Sequence, residues 1–225
     1  GAGCTSSSLS RLGEQFHTRR APGGTFTYRG IGQVWRGLST GLEGAHQMGN
    51  AALVLAACEL LTTRAPKLKP DHIRAGLRAN RWPGRLERVS ENPLVIFDGA
   101  HNLDAARQLS RYVAAHFKGL PITLVIGILD DKPYRAMLKL LAPLAIRVIA
   151  TQATINRALP AQRIAETVRP LAREVTVIAD VAKALRHAVK TASPDGLTLV
   201  AGSLYVVGEA KAAVARGFVR FKRLT

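Results

Sequence analysis

The chain reads as an α/β protein built on a Rossmann-like, mainly parallel sheet flanked by helices. Three observations predict this. From residue 93 onward, short apolar runs alternate with segments whose apolar residues recur at helical spacing. The strand-like runs are continuously apolar rather than alternating, as expected of strands buried on both faces. The regular strand–helix order implies right-handed crossovers between parallel strands.

The elements follow in order. "PLVIFDGA" is the first strand, and "NLDAARQLSRYVAAHF" follows as a helix with Leu103, Ala106, Leu109, Val113 and Phe117 along one side. Strands are predicted over 122–129, 146–151, 175–180 and 197–202, and helices over 132–144, 160–172, 181–192 and 206–218. Ahead of this region the character changes. Residues 1–40 are rich in Gly, Ser and Arg, and "GTFTYRG" and "IGQVWRG" suggest β-hairpins. Residues 46–62 form an Ala/Leu-rich helix expected to be buried on more than one side, and a shorter helix covers 69–79, with Pro70 and Asp71 at its start. Residues 1–63 look too small to close a core of their own, so this portion reads as the tail of a larger domain.

Composition excludes several classes. With 225 residues, 47% hydrophobic and 21% charged, the chain is neither disordered nor fibrous. No apolar run approaches the roughly 20 residues that cross a bilayer, and the first residues lack the pattern of a signal peptide. Two cysteines, Cys4 and Cys58, make no disulfide framework and show no metal-ligand spacing, which fits a reducing, cytoplasmic setting. The net charge of +17 is the oddest global feature. It is spread along the chain, and aromatic residues are only 5%, too few for a base-stacking platform, so nucleic acid is disfavoured against a small polyanion.

Five positions could carry chemistry. Asp98 ends the first strand, where ligands bind in parallel α/β sheets, and a carboxylate there can accept from ribose hydroxyls. Gly99 permits the turn, Asn102 caps the next helix, and Asp104 lies in its first turn, so turn and cap chemistry is the plainer alternative; it leaves His101 unexplained. Arg85 follows the Pro-Gly turn of "WPGR" at a domain junction, where it can clamp phosphate or stand as a surface arginine. Asn50 enters an otherwise apolar helix after His46 and Gln47, and its amide can donate and accept at a base edge. Ser203, after Gly202, puts a hydroxyl at a helix N-terminus, suited to a carboxylate or phosphate, or to plain capping. The chain has no G-x-x-x-x-G-K-[ST] loop, and "DGAHN" is not the G-x-G-x-x-G of dinucleotide enzymes.

In this order, "HQMGNAALVLAACELL", "WPGRLE", "FDGAHN", "GILDDK" and "GSLYVVGEA" resemble folylpolyglutamate synthase/dihydrofolate synthase, of the Mur ligase superfamily. The resemblance covers most of residues 44–215. It implies a Mur ligase C-terminal domain over 84–225, and over 1–83 a partial remnant of the central ATPase domain with its linker. The implied activity is an ATP-dependent amide ligase that phosphorylates dihydropteroate or folate and joins L-glutamate through an acyl phosphate. By motif, Asn50 would meet adenine, Arg85 the phosphate–ribose region and Asp98 the ribose, with His101 (the catalytic candidate) and Ser203 towards glutamate. No metal ligand is assigned to this chain, because the family's phosphate loop and Mg2+ ligands belong to the N-terminal part of the central domain. The chain is therefore expected to be a C-terminal fragment, inactive alone, and the family implies a monomer with small-molecule substrates and no membrane. Another Mur-type amino-acid ligase and a non-catalytic basic nucleotide or nucleic-acid binding module are the competing readings.

Overall fold

In the computed structural model, residues 9–44, 46–62 and 68–221 are described. Cys4, weighed above, lies outside them. The chain divides into two compact units, one up to Arg81 and one from Trp82 onward, two residues ahead of the boundary expected at 83/84.

The N-terminal unit holds β1 (His17–Arg20), β2 (Phe26–Arg29), β3 (Val34–Leu38), α1 (Gln47–Thr62) and α2 (Pro70–Ala79). The strands form an antiparallel sheet in the order β1-β2-β3. The expectation concerned residues 1–63; the unit extends to Arg81, and with α2 included it closes a core. Phe16, Phe26, Tyr28, Trp35 and Leu38 pack with Ala51, Ala52, Leu55 and Ala56 of α1, and α2 adds Ile73 and Leu77. The sequence reading had left α2 out of the count. The second correction concerns α1. Its buried residues lie on one stripe, while Leu53, Val54, Leu60 and Leu61 are each more than half exposed. The sheet and α2 cover one side of this helix.

A buried carboxylate ties the unit together. Glu59 of α1 accepts from the Tyr28 hydroxyl at 2.8 Å, from Ile31 N at 3.1 Å and from Gly32 N at 2.5 Å. A buried carboxylate is tolerated only when donors replace its water. Here a phenol and two amides of the β2–β3 turn do so. A Cβ on Gly30 would collide with this carboxylate and with the Tyr28 ring, so the turn needs glycine there for space.

The C-terminal unit is a three-layer α/β/α arrangement. Its strands are β4 (Glu87–Glu91), β5 (Leu94–Asp98), β6 (Ile122–Ile126), β7 (Arg147–Ala150), β8 (Glu174–Val177) and β9 (Leu197–Ala201). Their order is β4-β5-β9-β6-β7-β8, with every neighbour parallel except β4 against β5. The antiparallel edge strand β4, "ERVSE", was not foreseen, because its mostly polar residues carry no strand signal.

Alternation along each strand explains the continuously apolar runs. Ile96, Leu124, Ile126, Val148, Leu197 and Leu199 face α3 (Leu103–His116), α4 (Tyr134–Leu141) and α5 (Ala161–Val168). Val95, Phe97, Val125, Ile149 and Val200 face α6 (Val181–Thr191) and α7 (Leu204–Ala215). Each large side chain buried this way contributes about 1.5–3 kcal/mol, so both faces must stay apolar. The chain runs β5→β6→β7→β8 in one direction, then returns through α6 to insert β9 between β5 and β6. As a result the neighbours β5 and β9 are followed by helices on opposite faces. Such a switch point leaves a crevice at the carboxyl ends of the strands, where ligands of open α/β sheets bind.

Candidate functional site

Asp98 and Ala201 are register partners at the carboxyl ends of β5 and β9, so "DGAHN" and "GSLY" leave the sheet side by side. A third turn, "WPGRL", packs against them. Gly99 N donates to Gly84 O at 2.7 Å. A Cβ on Gly99 would overlap the Leu204 side chain, and one on Gly84 would stand 3.0 Å from Val207. These glycines let three turns approach closely.

Asp98 pins two of the turns. Its Oδ2 accepts from Leu86 N at 2.9 Å and its Oδ1 from Ala100 N at 2.9 Å. Leu86 itself sits at φ 47°, a left-handed conformation unusual for a branched residue, and the Asp98 bond helps to hold it. Burial pushes the Asp98 carboxyl above its ordinary range, against the two amide hydrogen bonds and the charges of Arg85 and His101, which pull it down. A carboxylate offers about four lone-pair positions and the turns use two, which leaves acceptor capacity for a ligand.

Arg85 is exposed, with its guanidinium 5.9 Å from the centroid of the exposed Trp82 ring. His101 Nδ1 lies 2.9 Å from Gly99 O. A carbonyl only accepts, so Nδ1 donates to it, and in the neutral form of the ring Nε2 carries the lone pair. Asn102 caps α3, its Oδ1 accepting from Ala105 N at 2.8 Å, as its position suggested. Ser203 is almost fully buried and caps α7, its Oγ accepting from Tyr205 N at 3.1 Å. The structure thus gives Ser203 the plainer of its two roles, and the groups exposed beside it are Leu204 and Tyr205.

Arg85, Asp98, His101 and Ser203 therefore share one end of the C-terminal unit. Asn50 belongs to the other unit. There it lies on the first turn of α1, exposed, and its Nδ2 donates to Gln47 Oε1 at 2.9 Å. It lines a cavity of about 310 Å³ together with Thr40, Gln47, Cys58, His72 and Asn80. Burial raises the Cys58 thiol above its usual pKa, which keeps it protonated and unreactive.

Three groups escaped the sequence reading. Trp82 is exposed at 58% beside Arg85, and only its rarity on a surface could have flagged it. Glu87 accepts from Gly84 N at 2.6 Å and pairs with Lys211 of α7 at 2.5 Å, which ties the "WPGRLE" turn to that helix. Gln47, with 2% exposure, was read as a helix-start polar group, and it is the hydrogen-bond partner of Asn50. No motif marks a buried amide. Among the described residues, no group of three or more His, Cys, Asp or Glu side chains is placed to hold a metal ion. No helix among them is long and apolar enough to cross a membrane.

The sequence profile described as "Mur ligase, glutamate ligase domain" matches residues 84–204, more than half of the chain. The chain belongs to the Mur ligase family. Its glutamate ligase domain is thus the unit that carries Arg85, Asp98, His101 and Ser203. The chain is also similar to the dihydrofolate synthase/folylpolyglutamate synthase of Bacillus subtilis. The two are 36% identical over 132 residues, 58% of this chain and 31% of that one. Among solved structures it resembles Escherichia coli FolC in complex with DHPP and ADP. That match has a TM-score of 0.79 and 26% identity, and it covers 92% of this chain and 48% of that one. A bifunctional folylpolyglutamate synthase/dihydrofolate synthase with Mn, AMPPNP and L-glutamate bound gives 0.78 and 27%, covering 92% and 48%. The chain thus spans about half the length of these structures and less than a third of the Bacillus relative.

Proposed function

We propose that the chain supplies part of an ATP-dependent amide ligase that joins L-glutamate to dihydropteroate or folate. In this reaction a substrate carboxylate oxygen attacks the γ-phosphorus of ATP, and ADP leaves. The amine of glutamate then attacks the acyl phosphate, phosphate leaves, and a base takes the proton the amine sheds. The observation that carries the reading is the Asp98 junction. A carboxylate with acceptor capacity to spare is fixed by two amides at a topological switch point, beside an exposed arginine and a histidine of set tautomer.

Each residue takes a role its chemistry allows. Asp98 accepts from the ribose hydroxyls. Arg85 pairs with phosphate oxygens, and its guanidinium suits that geometry better than a lysine would. His101 accepts the amine proton at Nε2. Ser203 holds the N-terminus of α7, whose partial positive charge favours the glutamate carboxylate. Asn50 reads adenine in the cavity of the N-terminal unit. That unit (1–83 by sequence) is proposed to be the end of a central ATPase domain, and 84–225 the ligase domain. ADP and AMPPNP bound in the related structures support a nucleotide substrate, and Mn bound in one supports a divalent cation, Mg2+ in the cell.

Among the described residues no group of three or more His, Cys, Asp or Glu is placed to hold the cation. Its ligands and the phosphate loop are assigned to a second polypeptide portion. The exposed outer stripe of α1 suits packing against such a portion. The 225 residues alone are expected to show no glutamate-dependent ATP hydrolysis. Calorimetric titration with ATP tests the site. Asp98→Asn keeps the shape but removes the charge, and should weaken binding by about tenfold, equivalent to about 1.4 kcal/mol. Unchanged affinity removes Asp98 from the site.

A further inference from the structure

We infer that Gly76 of α2 is a specificity-determining residue of the cavity around Asn50, its missing side chain leaving the room in which a purine ring lies. The inference rests on the adenine role proposed above for Asn50. A glycine inside a helix is destabilising relative to alanine, because it has more conformational freedom to lose. Such a residue needs a reason, and close packing is a common one. Gly30, Gly41 and Gly99 have it, since a Cβ on any of them would overlap neighbouring atoms. Gly76 does not. A Cβ there would meet nothing within 4 Å, and the residue sits inside α2 without a left-handed φ. Neither packing nor backbone conformation accounts for it.

The space beside Gly76 is the cavity of about 310 Å³ that Asn50 also lines, and all of its lining residues belong to the N-terminal unit. Val54, Ile73 and Leu77 give it apolar wall, and Asn50 and Asn80 contribute amides. A mostly apolar pocket of this size with a few polar groups suits a small aromatic ligand. On α2, His72, Gly76 and Asn80 follow one another at intervals of four, so they share one face, and all three line the cavity. Eight residues of helix rise about 12 Å. Over that length this face carries no side chain between His72 and Asn80. A flat ring can lie against the bare backbone there, with its polar edge towards Asn50. A larger residue at 76 would enter the same volume, and its first atom would displace nothing of the protein. Filling the position should therefore help the helix and exclude the base.

The test pairs urea unfolding with calorimetric titration by ATP, on the full 225-residue chain, for the wild type, Gly76→Ala, Gly76→Leu and Asn50→Ala. Both Gly76 variants should unfold at a urea midpoint at or above that of the wild type, since each removes a helix glycine. Gly76→Leu should weaken ATP binding by more than about tenfold, the lower end of what one surplus methylene group does in a fitted pocket. Gly76→Ala should weaken it by a smaller factor. A merely structural role would move midpoint and affinity down together. A folded Gly76→Leu with wild-type ATP affinity overturns the inference; a loss of affinity in Asn50→Ala then leaves the adenine site standing. Should Gly76→Leu fail to fold, Gly76→Ala decides: a midpoint at or above the wild type's with weaker ATP binding upholds the inference, and any other result overturns it. Unchanged affinity in Asn50→Ala, or a wild type that binds no ATP, overturns the adenine reading and this inference together.

Discussion

Asp98 serves the fold and, in the reading above, the ligand with different lone pairs. That makes alanine a poor probe, because Asp98→Ala would strand the Leu86 and Ala100 amides. It also sets a pH dependence. Because burial raises the Asp98 pKa in the folded state, the folded chain takes up this proton before the unfolded chain does. The resulting stabilisation is complete below the ordinary carboxylate value, about 4, and is lost as pH rises through the raised folded value. In the proposed site the ionised form accepts from ribose, so ATP affinity is expected to run the other way. Affinity should fall as pH drops through the raised Asp98 value in the wild type and stay flat in Asp98→Asn, read by calorimetry. A flat wild-type profile contradicts the ribose role. Glu59 offers a separate residue-scale test in the N-terminal unit. Glu59→Ala strands three donors and should lower unfolding free energy by about 2–4 kcal/mol in urea. Tyr28→Phe should cost about 1–2 kcal/mol, and the double variant less than the sum. A loss below about 0.5 kcal/mol for Glu59→Ala would contradict the clamp.

At the scale of elements, the interlocked turns depend on small residues more than on hydrogen bonds. Gly99→Ala puts a methyl group into Leu204 and close to Gly84 O, and should cost about 1–3 kcal/mol. Leu204→Ala in the same chain should recover part of it; strict additivity would mean the two do not meet. The helices and parallel strands here were legible because burial on both faces writes continuous apolar runs and capping writes Asn or Ser at the start. Asn102 and Ser203 cap their helices where the sequence placed such residues, although α7 begins at Leu204 rather than 206. Asp180, read as a strand end, instead caps α6 by accepting from Lys183 N. Strand β4 was illegible because its place depends on pairing with β5, not on its own pattern. Of the candidate site, the charged and capping groups were visible as motifs. Trp82, Glu87 and Gln47 were not, since their importance lies in partners distant in sequence or in a buried amide without a motif.

At the scale of the whole molecule, two units with separate cores each carry residues of the proposed function: Asn50 in a cavity of the N-terminal unit, and Arg85, Asp98 and His101 at the turns of the C-terminal unit. The net charge of +17 suits ATP and a polyglutamylated folate, both polyanions. The central claim is that this chain supplies part of a glutamate ligase that works once a phosphate loop is supplied. The most direct measurement joins the 225 residues to the portion of the Bacillus subtilis relative that they do not match and follows product mass with ATP, Mg2+, dihydropteroate and L-glutamate. The account predicts a product heavier by one glutamate residue with one ADP formed per addition, and none from the 225 residues alone. Turnover by the 225 residues alone would contradict it, as would a folded, ATP-binding fusion that adds no glutamate.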